Sequence, residues 1–125
     1  MSENILKQHM ENGTPNSRAL YDRFIGILDE IGAYTVHPAK STITFKGARR
    51  GFCGAHPKRD SLIGYFDLTR AIESDPRIRS VTPYTKRLFV HHFRISSIDE
   101  MDETFQSWIR EAYRVGQGDH LKQSE

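Results

Sequence analysis

The chain has 125 residues, of which 37% are hydrophobic and 27% charged, so it suits one domain with one modest core and is too short for two separate cores. A formal net charge of +2 excludes neither nucleic acid nor an acidic ligand, and by itself it supports neither. The single cysteine excludes an intramolecular disulfide and a metal site built from several thiolates. No stretch approaches the ~18 apolar residues of a membrane span. The sequence therefore predicts a soluble cytoplasmic protein with no membrane partner.

The first predicted element is a helix that follows a polar segment. Residues 1–13 have little to bury and are expected to form a flexible tail. Thr14 is a suitable N-cap, Pro15 fits the first helical turn and Gly32 is a stop signal. Apolar residues recur between them at helical spacing: Leu20, Phe24, Ile27, Leu28 and Ile31. These signals predict one helix from Pro15 to Gly32.

From Ala33 the periodicity changes to that of β-strands. Five strands are predicted, at about residues 34–37, 41–46, 50–56, 62–68 and 87–95. The short connections between the first four predict an antiparallel meander. Residues 69–85 contain Pro76 and Pro83, which disfavour regular structure, so only a short helical turn is expected at the start of this stretch.

The last predicted element is a second helix. Ser97 and Glu100 have the spacing of a capping box, and the helix is expected to run from there to about Val115, with Gly116 as its C-cap. Its apolar stripe consists of Met101, Phe105, Trp108, Ile109 and Ala112. Residues 118–125 are expected to form a flexible C-terminal tail.

This order of elements predicts the fold class. Strands and helices do not alternate, which favours an α+β domain over a doubly wound sheet. The sequence therefore predicts a single α+β domain over residues 14–117. In it, the N-terminal and C-terminal helices pack on one face of an antiparallel five-stranded meander sheet.

The basic residues are concentrated in two segments without acids. Residues 40–59 contain six Lys or Arg and residues 77–94 contain five, with no Asp or Glu in either. Residues 98–111 instead contain five acids and one Arg. The sheet is therefore predicted to be basic and the last helix acidic.

Alternation along the strands assigns the sheet residues to two faces. Ile43 and Phe45 are predicted to face the core, as is His91, whereas Lys46 and His92 face the other side. This open face is predicted to combine cations with rings: Lys46, Arg50, Phe52, His56, Tyr65, His92 and Arg94.

Such a face could bind a phosphate-containing small molecule or nucleic acid, because Arg and Lys neutralise anions and rings stack on bases. The predicted ligand-binding residues are Lys46, Arg50, Phe52, Tyr65, His92 and Arg94. The cations among them would contact the anion, and Phe52 or Tyr65 would stack. The alternative is a solvated sheet face on which long cationic side chains cover apolar neighbours and protect the strand edges.

The sequence predicts no metal site, no cofactor and no catalytic residue. His91 and His92 are adjacent on a strand, so they point to opposite faces and cannot easily share one ion. Cys53 and His56 suggest a nucleophile and its base, but three residues apart on a strand they also point to opposite faces. Cys53 is therefore expected to be a small buried residue. Residues 46–51 match neither the Walker nor the dinucleotide-binding pattern.

Four segments of the predicted domain form a recognisable pattern. They are Ser41-Thr-Ile-Thr-Phe-Lys46, Arg49-Arg-Gly-Phe-Cys-Gly-Ala55, Phe89-Val-His-His-Phe-Arg-Ile95 with the following Ile98-Asp99, and Trp108-Ile-Arg-Glu-Ala-Tyr113. Together they resemble a small bacterial family, domain of unknown function 5655, over about residues 19–115. Positions that match the family pattern are Phe45, Lys46, Arg50, Phe52, His92, Arg94, Ala112 and Tyr113. The resemblance implies no settled activity, and a sequence without a membrane span does not support the transport label that some members have.

Three functions follow as hypotheses. The favoured one is a non-enzymatic binding or accessory module for an anionic ligand. The second is a small enzyme in which His92 acts as an acid–base group and Arg94 stabilises an anion, which predicts a closed pocket around His92. The third is a protein-interaction or homodimer module whose interface is the aromatic sheet face.

Overall fold

The computed structural model describes residues 2–85 and 87–119. Its helices and strands are α1 Ser2–Glu11, α2 Pro15–Ile31, β1 Thr35–Pro38, β2 Ile43–Lys46, β3 Gly51–Lys58, β4 Ser61–Leu68, β5 Ile78–Pro83, β6 Phe89–Ile95 and α3 Glu103–Gly116. All strand pairs are antiparallel, and the strands lie in the order β1-β2-β3-β4-β6-β5. The prediction of an α+β fold with an antiparallel sheet is confirmed.

The sheet has six strands, so the prediction of five is wrong. Residues 78–83 form β5 at the edge of the sheet, where they pair with β6 alone. Pro76 and Pro83 argued against a strand, but an edge strand needs only one of its two rows of hydrogen-bonding groups, so it tolerates a proline that a central strand would not. The five predicted strands correspond to β1, β2, β3, β4 and β6, which are neighbours in that order as a meander implies. Strand β5 is added at the edge beside β6.

Helix α2 forms where the capping signals placed it. The side-chain oxygen of Thr14 accepts a hydrogen bond from the Ser17 N–H at 3.2 Å, and Ser17 Oγ accepts one from the Thr14 N–H at 2.8 Å. Gly32 ends the helix, and its N–H donates to the Leu28 carbonyl.

The last helix begins later than predicted. Ser97 and Glu100 do form a capping box, but it opens only a short 3₁₀ helix at Ile98–Glu100. The backbone leaves the helical conformation at Met101, and Asp102 then caps α3 by accepting a hydrogen bond from the Phe105 N–H at 3.0 Å. Gly116 is the last residue of α3, and Gln117 takes the C-cap position.

Residues 2–11 form helix α1 where the sequence predicts a flexible tail. His9 on this helix is buried, and its Nε2 lies 2.6 Å from the carbonyl oxygen of Ala39. A helix this short is marginal in isolation, so contacts with the rest of the domain rather than local signals account for it. In the predicted C-terminal tail, Gly118 is buried, and residues 120–125 lie outside the described residues.

Helices α2 and α3 both pack against the sheet, as predicted, and their rings form the centre of the core. Phe24 of α2 lies 5.8 Å from Phe45 and 6.0 Å from Phe93, measured between ring centroids. Phe105 of α3 lies 5.2 Å from Phe93, and Trp108 stacks on Phe66. Both helices occupy this face and leave the opposite face open around Tyr65, although His9 of α1 contacts His56 on that side, with ring centroids 5.5 Å apart.

His91 is a buried core histidine, as the alternation predicts. Its ring stacks on Phe66 with centroids 5.1 Å apart. Nε2 accepts a hydrogen bond from the Ile72 N–H at 3.0 Å, which leaves Nδ1 to donate to the Phe89 carbonyl at 3.0 Å. This pattern requires a neutral imidazole, and burial lowers the pKa of His91 below 6.5.

Acid should therefore destabilise the fold through His91. As the pH falls below about 6.5, the unfolded chain takes up a proton that the folded chain resists, so stability is lost. Replacement of His91 by leucine should cost about 1–3 kcal/mol near neutral pH, because two backbone groups lose their partner. The difference in the free energy of unfolding between wild type and variant, measured in urea, should narrow as the pH is lowered from about 7 to about 5. A difference that stays constant over this range would contradict the assignment of His91 as a neutral, buried imidazole.

Candidate functional site

The open face of the sheet presents basic side chains around one tyrosine. Tyr65 on β4 lies between Gly54 on β3 and His92 on β6 in the strand register. Lys46, His92 and Arg94 are exposed on the same side. These predicted residues share the face to which the alternation assigned them.

Phe52 does not lie on this face, and its predicted position there is wrong. Phe45 pairs with Cys53, whereas Lys46 pairs with Gly51, so Phe52 is an extra residue in a bulge of β3. Its ring is fully buried and packs edge-on against Tyr113 of α3, with centroids 5.3 Å apart. The bulge shifts the phase of the alternation, which is why counting by two failed at this residue.

The ring of Tyr65 lies across the neighbouring strand. A Cβ atom added at Gly54 would be 2.5 Å from Tyr65 Cε1, so only a glycine leaves room for the ring. The Tyr65 hydroxyl and Thr44 Oγ1, two strands away, are 3.1 Å apart and share a hydrogen bond. Burial raises the pKa of Tyr65 above its usual value of 10.0. Tyr65 is therefore a fixed, neutral platform in the middle of the open face.

A cavity of about 500 Å³ opens beside Tyr65. It is lined by Arg50, Gly51, Tyr65, Asp67, Tyr84 and Val90. Lys46 flanks it, since a Cβ atom at Gly51 would lie 3.7 Å from Lys46 Cγ. Tyr84 belongs to the connection between β5 and β6, and 63% of its surface is exposed. The cavity therefore joins two predicted site residues, Arg50 and Tyr65, to Asp67 and Tyr84, which were not predicted.

Arg50 and Asp67 form an ion pair at the floor of this cavity. Arg50 Nη2 donates to Asp67 Oδ2 at 2.8 Å, and the Arg50 guanidinium lies 5.6 Å from the centre of the Tyr84 ring. The Asp67 side chain is only 4% exposed, whereas that of Arg50 is 31% exposed. Asp67 Oδ1 is buried and has no hydrogen-bond partner among the described residues. Burial raises the pKa of Asp67 to about 6, against the opposing effect of Arg50.

One sequence signal could have revealed Asp67, and none could have revealed Tyr84. Asp67 is the only acidic residue in the six strands, and it lies two positions after Tyr65, so alternation places both side chains on the open face. Tyr84 follows β5, in an irregular connection that has no periodicity. Only the folded chain shows that this connection returns over the open face.

His92 lies beside Tyr65, with ring centroids 6.5 Å apart, but it does not line the same cavity. It lines an open depression together with Ile63, Arg79, Ser80 and Phe93. Arg94, its proposed partner in an enzyme, directs its Nε towards Ser61 Oγ at 3.3 Å. The structure therefore does not bring His92 and Arg94 together in a closed pocket.

Comparison with known proteins gives a family and nothing finer. The family model described as "Domain of unknown function (DUF5655)" matches residues 6–116. The chain belongs to this family. Membership of DUF5655 confirms the resemblance seen in the sequence. No curated protein and no solved structure matches the chain.

Two features are absent from the part of this DUF5655 chain that the structure describes. Within residues 2–85 and 87–119, no helix is long and apolar enough to cross a membrane. In the same residues, no group of three or more His, Cys, Asp or Glu side chains is placed to hold a metal ion.

Proposed function

We propose that the chain is a non-enzymatic binding module that holds an anionic ligand on the open face of its sheet. The observation that supports this is the charge of that face, where Asp67 is the only acid in any of the six strands. Basic side chains surround the Tyr65 platform on the same face: Lys46, Arg50, His92 and Arg94. The proposed ligand is a phosphate-containing small molecule or nucleic acid. We also propose that the protein is located in the bacterial cytoplasm.

The cavity beside Tyr65 favours a small ligand. Its volume of about 500 Å³ is within the usual range for small-molecule sites, roughly 300–1,000 Å³. Arg50 is only partly used by its ion pair, and its guanidinium has further N–H groups for an anion. Lys46 is exposed, its side chain lies beside Gly51 of the lining, and it adds a second positive charge. An anion in the cavity would thus meet two cations at once.

Binding is better supported than catalysis by His92. An acid–base residue needs a partner and a site shielded from water. His92 is exposed, and it lies in an open depression with Arg79 rather than in a closed pocket with Arg94. The open face also suits contact with an extended anion, which keeps nucleic acid as the second form of the proposed ligand.

Replacement of Lys46 or Arg94 by alanine should weaken the binding of anions and reduce its dependence on salt. Thermal unfolding with nucleotides, sugar phosphates and short single strands, at low and high salt, provides the screen. A ligand at about a hundred times its dissociation constant stabilises the fold by ~2.7 kcal/mol. We expect each variant to lose about tenfold in affinity, whereas the control Arg114→Ala, an exposed cation on α3, keeps the wild-type affinity. If Lys46→Ala and Arg94→Ala bind the anion as tightly as Arg114→Ala and the wild type do, the proposal is contradicted.

A further inference from the structure

Asp67 is out of place in a site that serves only anions. A carboxylate repels a negative ligand, and burial makes its charge costly. An arginine that merely neutralises a buried carboxylate commonly bonds both oxygens, as a fork on a fork. Arg50 bonds Oδ2 alone, and Oδ1 stays buried without a partner among the described residues. This buried oxygen can accept a further hydrogen bond.

We propose that the cavity binds a nucleotide whose base has an amino group, which donates a hydrogen bond to Asp67 Oδ1 while the phosphate meets Lys46 and Arg50. This inference rests on the proposed function, because it assigns a ligand class to the same anion site. Its base lies against the rings of Tyr65 and Tyr84, both of which line the cavity.

The chemistry of the lining fits the three parts of such a ligand. Aromatic side chains stack on any base, and the two tyrosines supply the rings. Carboxylates accept hydrogen bonds from the exocyclic amino groups of bases, as in the readout of cytosine by Asp or Glu. Lysine and arginine bind phosphate, and Lys46 flanks the cavity that Arg50 lines. A plain phosphate or sugar phosphate would use the cations and leave the rings and Oδ1 idle.

Access to Oδ1 requires a side chain to move. The oxygen is closed to solvent, and Asp67 shares the cavity lining with Arg50 and Tyr84. Tyr84 is well exposed, and the contact that links it to Arg50 is a cation–π interaction of modest strength. A base that takes the place of the guanidinium on the Tyr84 ring would replace that contact with a stack.

Calorimetric titration with adenosine 5′-monophosphate and purine riboside 5′-monophosphate tests the inference, because these probes differ only in the amino group. The wild-type chain should bind the amino-bearing nucleotide about tenfold more tightly, the value of one hydrogen bond. The variant Asp67→Leu, which has a similar shape but no acceptor, should bind the two nucleotides equally. Asp67→Asn keeps one acceptor oxygen and should retain part of the preference, which provides a second test if the leucine variant does not fold.

Equal affinity of wild type for the two nucleotides, or a preference that persists in Asp67→Leu, overturns the inference and leaves the proposed function standing. Binding of inorganic phosphate or sugar phosphates without binding of either nucleotide also overturns the inference and leaves the proposed function standing. If none of these anions binds to the wild-type chain, the proposed function fails and the inference fails with it.

Discussion

The variant Asp67→Asn is expected to be more stable than the wild type near neutral pH, by about 3 kcal/mol in the free energy of unfolding. The reason is that burial raises the pKa of Asp67 from 3.8 to about 6. Between about pH 4 and pH 6 the folded chain holds a proton that the unfolded chain releases, so stability falls as the pH rises through this window. Asparagine resembles the protonated acid and avoids this loss.

Urea unfolding across this range would measure the effect. The difference between Asp67→Asn and wild type should be close to zero at about pH 4 and reach its full size above about pH 6. Asp22→Asn, an exposed carboxylate on α2, is a matched control and should change stability by less than about 0.5 kcal/mol. A variant that is less stable than wild type near neutral pH would mean that the ion pair with Arg50 outweighs burial. A gain in stability would indicate that Asp67 destabilises the fold, as is common for residues at binding sites.

Replacement of Gly64 by alanine is expected to cost about 3 kcal/mol or more, at the upper end of overpacking effects. A Cβ atom at this position would lie 2.2 Å from the carbonyl oxygen of Gly54 and 2.6 Å from Phe93 Cζ. The first of these atoms is backbone in the neighbouring strand, which cannot turn away as a flexible side chain could. Strands β3 and β4 would have to separate where Tyr65 crosses towards Gly54.

Gly26→Ala provides the matched control for this prediction. The nearest atom to a Cβ at Gly26 is Arg23 Nη1, at 4.0 Å, and the residue lies within α2. Alanine is favoured over glycine in a helix, so this variant should gain roughly 0.5–1 kcal/mol. Thermal unfolding of both variants would check the pair. If Gly64→Ala is as stable as wild type, the close approach of β3 and β4 at Gly64 is wrong.

Local signals in the sequence predicted the parts of the fold that local physics determines. The cap at Thr14, the stop at Gly32 and the period of two in the strands correspond to α2 and to β1 through β4. The same alternation placed His91 in the core and His92 on the open face. In each case neighbouring residues along the chain contain the whole pattern.

The features that were missed depend on contacts between distant parts of the chain. Helix α1 is short and polar, and β5 is an edge strand flanked by prolines, so neither shows a clear pattern before it meets its neighbours. The bulge at Phe52 interrupts an otherwise correct alternation. In the site, Tyr84 reaches the cavity only because an irregular connection folds back over the sheet. The sequence therefore predicted the basic face, but neither the cavity within it nor the pairing of Asp67 with Arg50.

Amide chemical-shift mapping by NMR is the most direct test of the central claim that the open face of the sheet binds an anion. The chain would be titrated with inorganic phosphate, nucleotides and a short single strand at low salt. We expect shifts that saturate and cluster on β3, β4 and β6 around Tyr65, with smaller shifts in Lys46→Ala. Shifts that cluster on α2 and α3, or no saturable shifts with any of these anions, would contradict it.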